Sequence, residues 1–195
     1  MADTKFINLV PLGLTRGVSL HGAYILILRE VAGKRCMATL VTQEEYDMVS
    51  HAMQGERSEL ARTVRSMLDA FAMNILCVVL HNNTPQGEYR AGIIMRQGAD
   101  VRTVQQHLGS AVVLAIELGV PIQVSENYFN SMTSGNTAED GMVSLAVPVS
   151  AMDENLLHEA MEQAVKDDNF EMAKTLRDEL NRREGLAHIS STAAL

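Results

Sequence analysis

The residues best suited to catalysis are His107 and Ser110, which lie three positions apart in the middle of the chain. On a helix this spacing places both side chains on one face, one turn apart. A histidine can act as a base near neutral pH, because its unperturbed pKa is about 6.5. We therefore predict His107 and Ser110 as candidate catalytic residues. The alternative is an ordinary surface histidine at the start of a helix.

A small basic stripe, formed by Arg57, Arg62 and Arg65, surrounds the second predicted helix. Arg62 and Arg65 are three positions apart and therefore share a helix face. Guanidinium groups bind phosphate oxygens, so we predict Arg62 and Arg65 as candidate phosphate-binding residues. A solvated helix face or an ion pair between subunits would give the same pattern.

The acidic residues of the first two thirds of the chain are scattered. A magnesium-dependent site needs clustered carboxylates that hold the ion and activate water. Glu44 and Glu45 are adjacent on a predicted helix, so their side chains point in different directions. Their alternative role is to place negative charge in the first turn of the helix, where the helix dipole favours it. Glu117 is expected in the middle of another helix, facing solvent. Metal ligands are therefore not identified by the sequence.

The composition indicates a globular protein with an acidic tail. The 195 residues are 47% hydrophobic and carry a net charge of -8, which is compatible with a sizeable core. Residues 151–195 contain ten acidic and five basic side chains. Neither this tail nor the remainder has the basic surplus of proteins that are held to nucleic acid by phosphate contacts. Charge therefore gives no support to a nucleic-acid partner, although a local basic cleft stays open as an alternative.

The cysteines and the apolar segments indicate a cellular location. Cys36 and Cys77 lie in apolar runs, where a free cysteine behaves as a small hydrophobic residue. Without a Cys-x-x-Cys pair, neither a redox motif nor a cysteine zinc site is predicted. The first residues lack the basic start and apolar run of a signal peptide, and no apolar stretch approaches the roughly 20 residues that span a bilayer. We expect a cytoplasmic protein without membrane contact.

The hydrophobic patterns predict an α+β fold, in which helices pack on one side of a mixed sheet. A capping box, Thr42 with Glu45, marks the start of the first helix, and Gly119 marks the end of the third. The predicted strands are Phe6–Ser19, Ala23–Glu30, Cys36–Val41, Ile75–Asn82, Glu88–Gln97 and Val120–Val124, and the predicted helices are Gln43–Met53, Ser58–Phe71 and Val104–Leu118.

The chain is predicted to have four parts. Residues 1–130 form the main domain, and residues 131–152 form a linker, because the stretch from Asn130 to Gly141 is polar. The apolar stretch Met142–Val149 within this linker could form an extra strand. Residues 153–184 are predicted as a helical hairpin and residues 185–195 as a disordered tail.

Two apolar stripes at helical spacing predict the hairpin. The first contains Leu157, Met161, Ala164 and Val165, and Asp167-Asp168-Asn169 then interrupts it with residues that favour turns and N-caps. The stripe restarts at Phe170 and continues through Ala173, Leu176 and Leu180. Helices of about ten residues are not stable alone. They need each other, and a partner or the preceding domain would complete the burial.

This hairpin resembles the UVR motif, which is named for the excinuclease B and C subunits and also occurs in protease adaptors and chaperones. The motif is a helical hairpin that mediates contacts between proteins. The resemblance spans about 30 residues and implies a partner-binding role, which falls on Leu157, Met161, Phe170, Glu171, Leu176, Arg177 and Asp178.

The main domain, from about Phe6 to Tyr128, resembles the bifunctional nuclease family, which is of bacterial type. The matching segments are Leu14–Ser19, Ala23–Glu30 and Ala111–Ile122. The resemblance implies a mixed α/β fold, a homo-oligomer, and phosphodiester hydrolysis of DNA or RNA with Mg²⁺ or Mn²⁺. Where members carry a polar Arg-Pro-Ser-Asp run, this chain has His107, Leu108, Gly109 and Ser110.

Two functions are therefore open. The first is a nuclease, a hydrolase of weak or relocated activity, which the family resemblance implies. The second is a non-catalytic oligomeric adaptor that docks a partner protein through the C-terminal hairpin. The replaced polar residues, the acidic charge and the hairpin favour the second, because a scaffold can be kept while its activity is lost.

Overall fold

A computed structural model describes residues 5–16, 24–81, 90–133, 137–139, 142–144, 149, 152 and 154–192. The fold is α+β, as predicted. Its strands are β1 (Phe6–Arg16), β2 (Tyr24–Glu30), β3 (Cys36–Val41), β4 (Met73–Leu80), β5 (Arg90–Gln97), β6 (Asp100–His107), β7 (Ile122–Ser125), β8 (Thr137–Glu139) and β9 (Met142–Ser144). Its helices are α1 (Gln43–Met53), α2 (Glu59–Ala70), α3 (Leu108–Leu118), α4 (Glu126–Met132), α5 (Glu154–Lys166) and α6 (Phe170–Thr192).

The main sheet is mixed and has the strand order β3-β2-β1-β7-β4-β5-β6. Strand β1 is shared, because its first residues pair with β7 and its later residues pair with β2. Strands β4 and β7 are parallel, and the other neighbours in this sheet are antiparallel. The fully buried side chains of the core come from both halves of the sheet and from α3 and α4, and include Leu26, Leu28, Met37, Val78, Leu80, Val112, Val124 and Phe129.

The ends of the first helices confirm the capping signals in the sequence. At the start of α1, the Glu45 amide donates to Thr42 Oγ1 over 3.1 Å and the Thr42 amide donates to Glu45 Oε2 over 3.0 Å. Ser58 caps α2 in the same way, accepting from the Ala61 amide over 3.1 Å. Gly119 ends α3 in the left-handed region, with φ of 72°, where a residue without Cβ is favoured.

The predicted helix Val104–Leu118 is wrong over its first four residues. Residues 104–107 belong to β6, which pairs with β5 in a continuous register from Arg90 opposite His107 to Gln97 opposite Asp100. A tight turn at Gly98, whose φ is 58°, joins the two strands. The apolar residues have a helical period here, but the segment pairs with β5 instead. Such pairing depends on the neighbouring strand, which the spacing of apolar residues in the sequence does not show.

Helix α4 was not predicted, and it shortens the proposed linker. The polar segment is predicted to begin at Asn130 and the linker at residue 131, whereas α4 continues to Met132. Within the apolar stretch Met142–Val149, residues 142–144 form β9, which pairs with β8. The linker residues 134–136, 140–141, 145–148, 150 and 151 lie outside the described residues. So do residue 153 of the predicted hairpin, residues 193–195 of the predicted tail, and the predicted strand ends at 17–19, 23, 82, 88 and 89.

Arg35 attaches α4 to the turn between β2 and β3. Its Nε and Nη2 donate to the two carboxylate oxygens of Glu30 over 3.0 and 2.7 Å, and its Nη1 donates to Asn130 Oδ1 over 2.8 Å. The guanidinium carbon also lies 4.9 Å from the centroid of the Phe129 ring, within cation–π range. The hydrogen bonds from Arg35 hold the pKa of Glu30 below its ordinary value. The carboxylate therefore stays charged although its side chain is largely buried.

The C-terminal helices form the predicted hairpin, and one buried arginine ties it to the segment before it. Arg183 Nη1 donates to the Met152 carbonyl over 2.7 Å, while its Nε donates to Glu179 Oε1 over 2.9 Å. Buried residues of α5 and α6 belong to the same hydrophobic cluster as the core of the sheet. A disordered tail is predicted from residue 185, but helix α6 continues to Thr192. None of the helices in the described ranges is long and apolar enough to cross a membrane.

Candidate functional site

A cleft of about 610 Å³ lies among α1, α2, α3 and the β5–β6 pair. Its volume is in the range of small-molecule sites, which are about 300–1,000 Å³. Apolar side chains, including Val64, Ile93 and Leu114, form part of the lining. Polar side chains complete it, namely His51, Glu56, Arg57, Ser58, Gln106, Ser110 and Glu117.

One side of this cleft is fixed by Glu117. Its Oε2 accepts from the Ser58 amide over 2.9 Å and from the Ser58 hydroxyl over 3.0 Å. The carboxylate thus holds the N-terminus of α2 against α3, where the helix dipole favours negative charge. Glu117 was expected in solvent, and instead has a structural partner 59 residues away in the sequence.

The predicted catalytic pair is separated by the corrected helix start. His107 is the N-cap residue of α3 and the last residue of β6, so it does not lie one helical turn before Ser110. Ser110 lines the cleft, whereas His107 is exposed outside the lining. The histidine that shares the cleft with Ser110 is His51, from α1. Sequence reasoning missed His51, because only the packing of α1 on α3 brings it there.

The predicted phosphate-binding arginines lie outside the cleft lining and have other partners. Arg62 forms an exposed ion pair with Glu59, with 2.6 Å between Nη2 and Oε2. Arg65 Nη2 donates to the Leu118 carbonyl over 3.3 Å and so satisfies an acceptor at the end of α3. Arg57, the third arginine of the predicted stripe, does line the cleft. Among the described residues it has no hydrogen-bond or ion-pair partner.

The residues that could hold a divalent metal do not come together. Within the described ranges, no three His, Cys, Asp or Glu side chains form a group that could bind an ion. Glu45, one of the first-turn acids, is used as a cap for two helices, since its Oε1 also accepts from the Gly109 amide over 3.0 Å. A Cβ at Gly109 would lie 2.5 Å from the Glu45 Cβ, so this contact requires glycine. The described residues therefore do not fit a Mg²⁺ or Mn²⁺ site.

The two cysteines are not poised as nucleophiles. Both thiols are free, and burial raises the pKa of Cys36 and of Cys77 above the ordinary value for a thiol. The thiolate is the reactive form, so both residues are suited to packing rather than to catalysis. This agrees with their assignment as small hydrophobic residues.

A second concave surface, which we call the hairpin groove, lies between α5 and α6 and measures about 590 Å³. The turn that joins the helices is set by Asp168, whose φ is 55°, and by Asn169, whose Oδ1 accepts from the Met172 amide over 3.2 Å. The lining consists of Met161, Glu162, Val165, Lys166, Phe170, Ala173, Lys174 and Arg177.

The predicted partner-binding residues divide into two groups. Leu157 and Leu176 are buried in the hydrophobic cluster and hold the hairpin together. Met161, Phe170 and Arg177 line the groove. Glu171 and Asp178 are exposed outside the groove lining.

The hairpin groove is both apolar and cationic. The side chains of Phe170 and Val165 are 66% and 51% exposed, which is high for residues of this type. Lys166, Lys174 and Arg177 border them, with Glu162 as the opposing charge. The net charge of the tail did not reveal this, because among the described acidic residues of α5 and α6 only Glu162 lines the groove.

A comparison of the sequence with known protein families and with curated proteins finds no match.

Proposed function

We propose that the protein is a non-catalytic adaptor, which binds an acidic amphipathic helix of a partner protein in the hairpin groove. The observation that carries this proposal is the exposed pair of Val165 and Phe170 on a surface bordered by three cationic side chains. Exposed apolar side chains in a concave, polar-rimmed surface are typical of protein-binding sites.

The shape of the groove favours a helix as the ligand. A groove between two helices is a common receptor for an amphipathic helix, whose apolar residues at i, i+3, i+4 and i+7 enter it. Met161, Val165, Phe170 and Ala173 supply the apolar floor on this side. Methionine adapts its shape to a ligand at little cost, so the floor can accept leucine, methionine or phenylalanine side chains.

The charge of the groove favours an acidic ligand. Lys166, Lys174 and Arg177 are three of the five basic residues after position 150, and the other two, Arg182 and Arg183, are bonded to Glu179. A helix that carries glutamates beside its apolar stripe would therefore be attracted, and a basic helix would be repelled. The same electrostatic term makes binding weaker at higher salt.

Support for the non-catalytic assignment comes from the main domain. The described residues do not fit a divalent metal site, and Arg62 and Arg65 have structural partners. We place this adaptor in the cytoplasm, where the free thiols of Cys36 and Cys77 would remain reduced.

A synthetic helix with leucines at i, i+3, i+4 and i+7 and glutamates on both flanks is expected to bind the full-length protein. Phe170→Ser should weaken this binding about tenfold or more, because full burial of such a side chain contributes roughly 1.5–3 kcal/mol. Lys174→Glu combined with Arg177→Glu should weaken it further and remove most of its salt dependence. Fluorescence anisotropy of the labelled peptide measures both effects.

The controls separate the groove from the rest of the surface. Met172→Ser removes an exposed apolar side chain of α6 that does not line the groove, and Lys5→Glu changes an exposed charge just before β1. Both variants should bind as the unmodified protein does. Equal binding by the Phe170→Ser variant, or equal binding of a peptide with lysines in place of the glutamates, would contradict the proposal.

A second candidate function, phosphodiester hydrolysis, is favoured by the cleft. It brings an imidazole (His51), a guanidinium (Arg57) and a hydroxyl (Ser110) to one concave surface. Arg57 could hold a phosphate through charge-assisted hydrogen bonds, and His51 could accept the proton of an attacking water. The base and the phosphate-binding residue of this candidate are therefore not the predicted His107, Arg62 and Arg65.

A nuclease assay on plasmid DNA and on RNA, with and without Mg²⁺ or Mn²⁺, tests this candidate. Cleavage that co-elutes with the protein and falls at least a hundredfold in the His51→Ala variant would establish it, since a general base contributes about 10²–10⁴-fold. The adaptor proposal predicts no cleavage above background. An activity that is lost in His107→Ala, yet kept in His51→Ala, would show that the catalytic histidine is His107, as predicted from the sequence.

A further inference from the structure

The outer strand β6 is an unprotected sheet edge. All eight of its residues are exposed, and its pairing with β5 continues in register along the whole strand. The opposite edge strand, β3, is buried at every residue. One end of this sheet is thus covered by the fold, and the other presents a full-length edge.

Natural proteins usually protect such an edge with lysines, a proline or a bulge. The sequence of β6, DVRTVQQH, contains no lysine and no proline. Its charged residues, Asp100 and Arg102, balance each other and lie at the turn end. The last five residues contain no acidic residue, lysine or arginine. The edge is therefore available for pairing with another strand.

An apolar surface accompanies this edge. Val104 lies opposite Ile93, which lines the cleft below α2 and α3, so Val104 faces the same side of the sheet as these helices. It is 41% exposed, and Met67 and Phe71 on α2 are 57% and 62% exposed. Gln97 Nε2 donates to the Phe71 carbonyl over 2.8 Å, which fixes the end of α2 beside the β5–β6 turn.

We propose that β6 pairs antiparallel with β6 of a second copy of this chain, about a twofold axis perpendicular to the sheet. This axis keeps both α2 helices on one side of the joined sheet, which is also the side on which Val104 of each copy lies. Such an interface is self-complementary, as a twofold contact requires. It is also distinct from the hairpin groove.

The charges favour a second copy as the occupant. The chain carries a net charge of -8, so most of its surface repels another copy. Strand β6 has one acidic and one basic residue, and α2 has Glu59 and Asp69 against Arg62 and Arg65. Both elements are neutral, and two copies can approach here without net repulsion.

Sedimentation velocity of the full chain over a range of concentrations tests the interface. We expect a species of twice the 21.3 kDa chain mass, and we expect Val104→Lys and Phe71→Lys each to raise the dissociation constant at least tenfold. Met53→Lys, at an exposed position of similar size on α1, and Phe170→Ser, in the hairpin groove, should leave the dimer intact. Circular dichroism verifies that each variant is folded.

Three results would overturn the proposal. The first is a chain that stays monomeric at all concentrations. The second is a dimer or larger assembly that persists equally in Val104→Lys, Phe71→Lys and Met53→Lys. The third is loss of the dimer only in Phe170→Ser, because the contact would then lie in the hairpin groove.

Discussion

Phe129→Ala is expected to lower the free energy of unfolding of the main domain by about 3–5 kcal/mol, the usual range for truncation of a buried aromatic residue. Phe129 is among the largest fully buried side chains of the protein. Truncation leaves a cavity within the core that α4 closes. It also removes the ring on which the Arg35 guanidinium rests, at 4.9 Å from the centroid.

Urea denaturation followed by far-ultraviolet circular dichroism measures this loss, which suits a chain without tryptophan. The matched control is Phe129→Leu, which fills most of the volume and should cost less than about 2 kcal/mol. An alanine variant within about 0.5 kcal/mol of the unmodified protein would mean that α4 is not part of the cooperative core.

The elements whose ends carry local signals could be predicted from the sequence. The Thr42–Glu45 pair marked the start of α1, and Gly119 marked the end of α3. These signals are readable because they satisfy backbone groups within one turn of the residue concerned. The helical hairpin could be predicted for the same reason, because two apolar stripes and the Asp-Asp-Asn turn between them are local signals.

Strand β6 and helix α4 depend on distant residues and were missed for that reason. Val104 pairs with Ile93 across a turn at Gly98, and Phe129 is held by Arg35, which is remote in sequence. The missed start of α3 then displaced the candidate site. His107 and Ser110 had been joined by a helical spacing that the chain does not have, so only Ser110 remains in the cleft.

The same limit applies to the hairpin. Periodicity found the apolar residues of both helices but could not separate Leu157 and Leu176, which are buried, from Val165 and Phe170, which are exposed. Which face of an amphipathic helix is covered depends on the neighbours. Net charge was equally uninformative, because Lys166, Lys174 and Arg177 converge in the groove of an acidic segment.

Glu179→Gln is expected to loosen the hairpin by about 3–5 kcal/mol, because removal of one member of a buried ion pair is strongly destabilising. Arg183 is only 8% exposed, and its Nε donates to Glu179 Oε1 over 2.9 Å. The variant keeps the shape of the side chain and removes its negative charge. The contact between Arg183 and the Met152 carbonyl, at 2.7 Å, is made with a neutral acceptor and does not replace the negative charge of Glu179.

Hydrogen exchange of the amides in α5 and α6, compared with those of the main sheet, measures this local opening. The control is Arg182→Gln, which removes the more exposed partner of the same carboxylate and should cost about 1 kcal/mol or less. Equal protection of α6 in Glu179→Gln and in the unmodified protein would show that Arg183 does not depend on this carboxylate.

Acid should reproduce the effect of the substitution. Hydrogen bonds from Arg182, and then from Arg183, hold the pKa of Glu179 below its ordinary value. A carboxylate with a lowered pKa in the folded state stabilises that state fully above its unfolded pKa of about 4.3, and the stabilisation is lost as the pH falls through the lowered folded value. Protection of α6 should therefore decline in that acidic range in the unmodified protein and be nearly constant there in Glu179→Gln. Glu30 also has a lowered pKa, but it lies in the main sheet, and the comparison with Glu179→Gln separates the share of Glu179 from that of the other carboxylates of α6.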